Sequence, residues 1–82
     1  MTSNLLKYSE CFKSAFELPV DYDPSILEYQ GIENWDSVGH MSLMSELEDA
    51  FDIVLEMDDI IDFSSYAKGL ELLPKYGIMF DQ

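Results

Sequence analysis

The segment from Trp35 to Phe51 constrains the fold most, because a helix-start signal is followed there by a long amphipathic run. Asp36 is a good N-cap residue, and Ser37 would open the helix. At about 100° per residue, apolar side chains fall on one face and polar side chains on the other. The inner face holds His40, Leu43, Met44, Leu47, Ala50 and Phe51. We therefore predict a surface helix with one buried stripe.

Val38 departs from this pattern, since the same helical wheel places it on the outer face, beside Ser37 and one turn from Ser42. An exposed apolar residue next to an exposed serine is typical of a docking point. The structural alternative is common, because an Asp or Ser before an apolar-periodic run begins many helices.

A first amphipathic helix is predicted from Ser3 or Asn4 to near Leu18, because Pro19 disfavours helix in the residue before it. Its apolar face holds Leu5, Tyr8, Phe12, Ala15 and Phe16. Residues 19–36 then form a connection that needs anchors in a small domain. The predicted anchors are Leu27, Ile32 and Trp35.

Two shorter helices are predicted after the central one. Residues 57–61 suggest a short third helix, and Ser64 is a predicted cap for the last helix, in which Tyr66, Leu70 and Leu73 share a face. Gly69 costs that helix about 1 kcal/mol relative to Ala. Residues 52–55 are interpreted as a connection that places Ile53 in the core, and the tail 78–82 either lies back on the bundle or frays.

These elements predict an all-α fold: a small four-helix bundle with a long loop between helices one and two and a short third helix. The whole chain, residues 1–82, is expected to be one domain. Cys11, the single cysteine, is expected to be a buried or half-buried residue of the first helix, and it can form neither an internal disulfide nor a cysteine-based metal cluster.

The chain is strongly acidic, with four Lys and Arg against seventeen Asp and Glu and a formal net charge of −13. This charge disfavours nucleic-acid and anionic-membrane binding and favours capture by basic protein surfaces. No apolar run is long enough to span a membrane or to form a leader at residues 1–7, so a soluble, cytoplasmic protein is expected. Glu56, Asp58 and Asp59 are predicted to be solvated loop acids, with an extension of the acidic recognition surface as the alternative.

The acidic residues do not predict a specific metal site. Asp21-x-Asp23 begins like a calcium-binding loop, but Ile26 and Ile32 occupy the positions that require Gly and Glu.

Enzymatic activity is not expected. Ser37 and His40 could lie one helical turn apart, but a hydrolase also needs an oxyanion site and an orienting group in an enclosed pocket. The chain has no Gly-x-Ser-x-Gly elbow. The default interpretation of His40 is a structural histidine at the mouth of the bundle.

Asp36-Ser37-Val38, followed by a helix with Leu43, Leu47 and Phe51 inside and Glu48-Asp49 outside, resembles the acyl carrier protein family. The resemblance covers about residues 32–76 and departs from the usual pattern at Val38, where Leu is common, and at Gly39-His40. It implies that Ser37 carries a covalently attached 4′-phosphopantetheine arm, with Asp36 part of the attachment motif. The arm would hold an acyl or aminoacyl group as a thioester for fatty acid, polyketide or another specialised biosynthesis.

The resemblance also implies the partners. A phosphopantetheinyl transferase would attach the arm from coenzyme A with magnesium, and loading and acyl-transferring enzymes with basic docking surfaces would act on the cargo. The partner-recognition face would consist of Val38, Ser42, Ser45, Glu48 and Asp49, in agreement with the helical wheel. We expect a monomer that catalyses nothing itself.

The alternative belongs to another functional class. It is a non-enzymatic acidic protein-interaction module or nucleic-acid mimic, in which Asp36-Ser37 is only a helix cap and no pantetheine is attached.

Overall fold

The computed structural model describes residues 3–80, and within them the chain forms four α-helices, two short 3-10 segments and no strand. The helices are α1 (Asn4–Phe16), α2 (Ser37–Phe51), α3 (Met57–Asp62) and α4 (Tyr66–Leu72). The 3-10 segments are Pro24–Ile26 and Leu73–Tyr76. The predicted all-α class is confirmed, together with the long connection before α2 and the short third helix. Met1 and Thr2 of the N-terminal segment, and Asp81 and Gln82 of the predicted tail, lie outside the described residues.

The first cap is Ser3, one of the two residues predicted to begin α1, whereas the last cap lies one residue later than predicted. The Ser3 hydroxyl accepts a hydrogen bond from the Leu6 N–H at 3.0 Å and begins α1. Ser65, not Ser64, caps α4 by accepting from the Lys68 N–H at 2.9 Å. Ser65 also pairs with Glu28 in an isolated antiparallel bridge, which holds it in the extended conformation that an N-cap requires. A contact distant in sequence thus selects between two adjacent serines.

The core is rich in aromatic side chains and lies where α1 packs along α2. Its largest fully buried side chains are Trp35, Tyr8, Phe12, Phe16, Phe63, Leu43, Met44, Leu47 and Leu73. Leu5 was predicted to face inward but lies exposed at the margin of α1. Cys11 is buried as predicted, and burial raises the pKa of its thiol to about 12.

The connection before α2 is anchored by the predicted residues. Leu27 and Trp35 are buried, and Ile32 packs half-buried against the core. The Trp35 ring lies edge-on to Phe12, with ring centroids 5.6 Å apart. After α2, Ile53 reaches the core as predicted, but Leu55 is buried more deeply. These contacts fix both ends of α2.

The chain after α4 folds back onto the bundle. The segment that contains Pro74 continues α4 as a 3-10 turn, and the chain leaves it through Gly77 at φ 86°. Ile78 is buried, and Phe80 packs against Tyr8 with ring centroids 5.3 Å apart. Within residues 78–80 the tail therefore lies on the bundle.

None of the helices described has the length and apolar character needed to cross a bilayer.

Candidate functional site

Ser37 is the first residue of α2, and its side chain is exposed to solvent. The Asp36 carboxylate precedes it and accepts a hydrogen bond from the Gly39 N–H at 2.8 Å, so the predicted cap is confirmed. The first N–H groups of an α-helix have no acceptor within the helix, and the helix dipole is positive at this end. The first turn of α2 contains no acidic residue. The Ser37 hydroxyl thus lies where an attached phosphate would be stabilised.

Gly39 allows the preceding loop to pack directly against this first turn. A Cβ built on Gly39 would lie 1.9 Å from the Asn34 carbonyl oxygen, so any larger residue would push the loop away. The Asn34 side-chain N–H in turn donates to the Phe16 carbonyl at 2.8 Å, at the end of α1. The position of Ser37 therefore depends on contacts with both the loop and α1. From the sequence, Gly39 was identified only as a departure from the usual acyl carrier protein pattern, and this packing role was not predicted.

Both ring nitrogens of His40 are hydrogen-bonded. The Trp35 indole N–H donates to Nδ1 at 3.0 Å, and Nε2 lies 2.7 Å from the Ile60 carbonyl oxygen. Because a carbonyl only accepts, this network assigns a neutral ring with its proton on Nε2. His40 therefore has a structural role here, and neither nitrogen is free to activate Ser37.

An apolar cavity of about 370 Å³ adjoins Ser37, between the start of α2 and α3. Its side-chain walls include Met41, Met57, Ile60, Ile61 and Phe63. Tyr29 and His40 also line it, with ring centroids 5.4 Å apart in an edge-to-face contact. A more open groove is lined by Ser37, Val38, Met41, Ser42, Ser45 and Glu46. Ser37 thus lies where a partly open apolar pocket meets the outer surface of α2.

The predicted recognition face is largely exposed. Val38 is 77% exposed, and Ser42, Ser45 and Asp49 also face solvent. Glu48 differs because it is half-buried and its carboxylate accepts a hydrogen bond from the Leu55 N–H at 2.9 Å. Glu48 therefore stabilises the turn after α2, in addition to any contact that it makes with a partner.

Further apolar side chains border this face and were not predicted as part of the site. Met41 is 52% exposed, one turn after Val38 on α2, whereas Met57 and Ile61 are 69% and 70% exposed on α3. The spacing of Val38 and Met41 was visible in the sequence. Their proximity to α3 depends on the tertiary fold, which the helical wheel does not give.

Asp59 was predicted to be a solvated acid, and this prediction was wrong. The residue is only 6% exposed, and its carboxylate is 2.7 Å from the Lys75 ammonium nitrogen and 2.5 Å from the Tyr76 hydroxyl. Hydrogen bonds from Lys75 and then from Tyr76 lower the pKa of the Asp59 carboxyl, and the bond to Asp59 raises the pKa of Lys75. We call Asp59, Lys75 and Tyr76 the Asp59 clasp. Glu56 and Asp58 are exposed, as predicted.

Residues 3–80 contain no group of three or more His, Cys, Asp or Glu side chains placed to bind a metal ion. The aspartate that suggested a calcium loop has a local role instead. Asp23 caps the first 3-10 segment by accepting from the Ser25 N–H at 3.1 Å.

Comparisons of the chain with family models, with curated proteins and with solved structures found no match.

Proposed function

We propose that the protein is an acyl or aminoacyl carrier with a four-helix bundle of the acyl carrier protein type. Ser37 carries a covalently attached 4′-phosphopantetheine arm in this proposal. The observation that carries it is the position of Ser37: an exposed hydroxyl at the first residue of α2, behind the Asp36 cap and beside an apolar cavity. When attached, the arm supplies a terminal thiol that holds the cargo as a thioester.

The residues around Ser37 fit the attachment of a phosphate ester. The positive end of the α2 dipole offsets part of the negative field of the chain at Ser37. The first turn of α2 contains no acidic residue that would repel the phosphate. Asp36 is the nearest carboxylate in sequence, and its Oδ1 is engaged by the Gly39 N–H. Because both nitrogens of His40 are engaged, the transferase provides the base that accepts the serine proton.

The surface around Ser37 fits a basic protein partner. Val38, Met41, Met57 and Ile61 provide exposed apolar contacts, and Asp49 provides negative charge further along α2. An apolar patch bordered by charge is typical of protein interfaces, and opposite charges accelerate docking. The proposed partners are a phosphopantetheinyl transferase and the cytoplasmic enzymes that load and transfer the cargo.

Intact-protein mass spectrometry tests the proposal directly. Wild-type protein, Ser37→Ala and Ser25→Ala are incubated with coenzyme A, magnesium and a broad-specificity phosphopantetheinyl transferase. Ser25→Ala is the control, because Ser25 is also an exposed serine but lies in the first 3-10 segment, outside the predicted recognition face. We expect one phosphopantetheine increment on the wild type and on Ser25→Ala, and none on Ser37→Ala.

Two results would contradict the proposal. An increment that persists in Ser37→Ala would place the attachment elsewhere. No increment on folded wild-type protein with two different transferases would leave the acidic interaction module as the better account.

A further inference from the structure

Two exposed methionine side chains lie on the surface around Ser37. The methionines within residues 3–80 are Met41, Met44, Met57 and Met79. Met41 is 52% exposed on α2 and Met57 is 69% exposed on α3, and both line the cavity beside Ser37. Met44, in contrast, is 1% exposed in the core. Two different helices therefore each bring one solvent-accessible thioether to the same site.

These two methionines supply much of the apolar character of the site. Met41 lies one turn after Ser37 on α2, and both residues line the cavity as well as the open groove on the outer face of α2. Met57 is the first residue of α3, and Ile61, one turn later, is also exposed and lines the cavity. A polar group introduced at Met41 or Met57 would therefore lie directly on the surface that surrounds Ser37.

Met79 provides an internal comparison, because it is similarly accessible but lies elsewhere. It is 57% exposed, and its carbonyl accepts a hydrogen bond from the Asn4 side chain at 2.9 Å, at the start of α1. Met79 lines neither the cavity nor the groove. Oxidation of Met79 is therefore expected to leave the surface around Ser37 unchanged.

An accessible methionine thioether is readily oxidised to a sulfoxide. The sulfur attacks the terminal oxygen of a hydroperoxide, ROOH, so that an S–O bond forms and the O–O bond breaks. The sulfur is oxidised by two electrons, and the RO fragment keeps the electron pair of the O–O bond, takes the hydroperoxide proton and leaves as ROH. The product is a polar hydrogen-bond acceptor in place of an apolar group, and methionine sulfoxide reductases reverse the change.

We propose that Met41 and Met57 form a reversible oxidation site, through which a hydroperoxide changes the surface around Ser37 from apolar to polar. The fold is retained, because Met44 is shielded in the core. A sulfoxide at an apolar contact must be desolvated without a matched donor, and this weakens the contact. The oxidation site is a property of the unmodified chain, whereas its effect on partner enzymes rests on the proposed function.

Peptide mapping of peroxide-treated protein tests the first step. Folded wild-type protein is exposed to hydrogen peroxide, and sulfoxide formation at each methionine is followed by mass spectrometry. We expect Met41 and Met57 to be oxidised at rates similar to that of Met79. They should react about ten-fold or more faster than Met44, whose oxidation requires the core to open. Rates at Met41 and Met57 as slow as at Met44 would overturn the proposal.

Hydrophobic-interaction chromatography of the folded protein measures the change in polarity without a partner enzyme. The test variant combines Met41→Leu with Met57→Leu, the matched control is Met79→Leu, and each protein is compared with itself before and after peroxide. Retention on a phenyl matrix should fall in wild type and in Met79→Leu. It should change little in the double variant, because leucine is apolar and has no sulfur. An equal fall in the double variant would overturn the proposal.

The transferase reaction tests the consequence for Ser37. Oxidised wild type and oxidised Met79→Leu should be modified about five-fold or more slowly than before oxidation, the effect of one unmatched polar group in an apolar contact. The double variant should react at the same rate before and after peroxide, and methionine sulfoxide reductase should restore the wild-type rate.

Two further results are decisive. Equal rates of wild-type modification before and after complete oxidation of Met41 and Met57 would overturn the oxidation site as a switch. If wild-type protein is not modified even before peroxide, the proposed function fails, and the peptide map and the chromatography still decide whether Met41 and Met57 form the oxidation site.

Discussion

Gly69 on α4 lies so close to Tyr8 on α1 that a Cβ built on Gly69 would fall 2.0 Å from the phenol oxygen. The same atom would lie 2.3 Å from Cζ of Phe63. The phenol cannot easily move, because it donates a buried hydrogen bond to the Tyr66 carbonyl at 2.6 Å. The missing side chain therefore allows α4 to pack directly against α1.

Gly69→Ala is expected to lower the free energy of unfolding by about 1–3 kcal/mol, the usual cost of forcing a group into a packed core. Helix propensity alone predicts a gain of about 1 kcal/mol. Urea denaturation shows whether the unfolding free energy falls, as packing predicts, or rises, as helix propensity predicts. Ala67→Gly is the control at an exposed position of α4, and it should destabilise by about 1 kcal/mol through propensity. A Gly69→Ala variant more stable than wild type would contradict the packing argument.

This position shows what local sequence patterns can and cannot predict. Periodicity predicted α4 and the buried residues Tyr66 and Leu73, because amphipathic spacing is a local property. Leu73 begins the 3-10 segment that continues α4. It assigned Gly69 only a propensity cost, since the approach of Tyr8 depends on how two distant helices pack. The shift of the α4 cap from Ser64 to Ser65 has the same origin, as the bridge to Glu28 is a tertiary contact.

The Asp59 clasp is expected to make stability depend on pH in the acid range. The folded-state pKa of Asp59 is lowered from its ordinary 3.8, so its stabilising contribution is fully present above that value. It is lost as the pH falls through the lower folded-state pKa, because the protonated carboxyl no longer forms a charge-assisted pair with Lys75. Asp59→Asn should therefore be less stable than wild type near neutral pH, and this difference should shrink in acid.

The measurement is urea denaturation of wild type and Asp59→Asn from about pH 7 down to the lowest pH at which both fold. Asp58→Asn removes the same charge from an exposed neighbour and controls for the general effect of net charge. If wild type and Asp59→Asn differ in unfolding free energy by the same amount at every pH, the charge of Asp59 does not contribute to stability.

The candidate site was predicted from sequence to the extent that it is local. The Asp36 cap, the exposed Ser37 and the outward direction of Val38 all follow from one helix-start signal and one helical wheel. Asp59 was mispredicted because its partner Lys75 is sixteen positions away and on another segment. The helical wheel gave the outward direction of Glu48 but not its hydrogen bond to the Leu55 N–H.

Gly39→Ala is expected to disturb Ser37 without touching it. The new methyl group would collide with the Asn34 carbonyl, so either the loop or the first turn of α2 must shift. We expect a loss of about 1–3 kcal/mol in unfolding free energy and slower modification of Ser37 by the transferase. Ser42→Ala, an exposed change on the same helix, should remain within about 0.5 kcal/mol of wild type. Unchanged stability in Gly39→Ala would mean that the Asn34 carbonyl does not pack tightly against Gly39.

Reversing the charge of Asp49 is expected to slow recognition by a basic partner. Glu48→Lys together with Asp49→Lys would also have this effect, but loss of the Glu48 hydrogen bond to the Leu55 N–H would lower stability at the same time. Asp49→Lys alone is the cleaner change, because Asp49 is exposed on the outer face of α2. We expect modification by the transferase to slow by about three- to ten-fold at low salt, since rim charges act mainly on the association rate.

The salt dependence of the modification rate separates a local effect of Asp49 on docking from an effect of the net charge of the chain. The slowing caused by Asp49→Lys should diminish as ionic strength rises, because exposed charges are screened within about 10 Å at 0.1 M salt. Glu71→Lys is the matched control: it changes the net charge equally at an exposed position on α4. If the two variants are slowed equally, the transferase responds to the overall field of the chain. If Asp49→Lys reacts at the wild-type rate at low salt, the outer face of α2 beyond Ser45 is not part of the recognition surface.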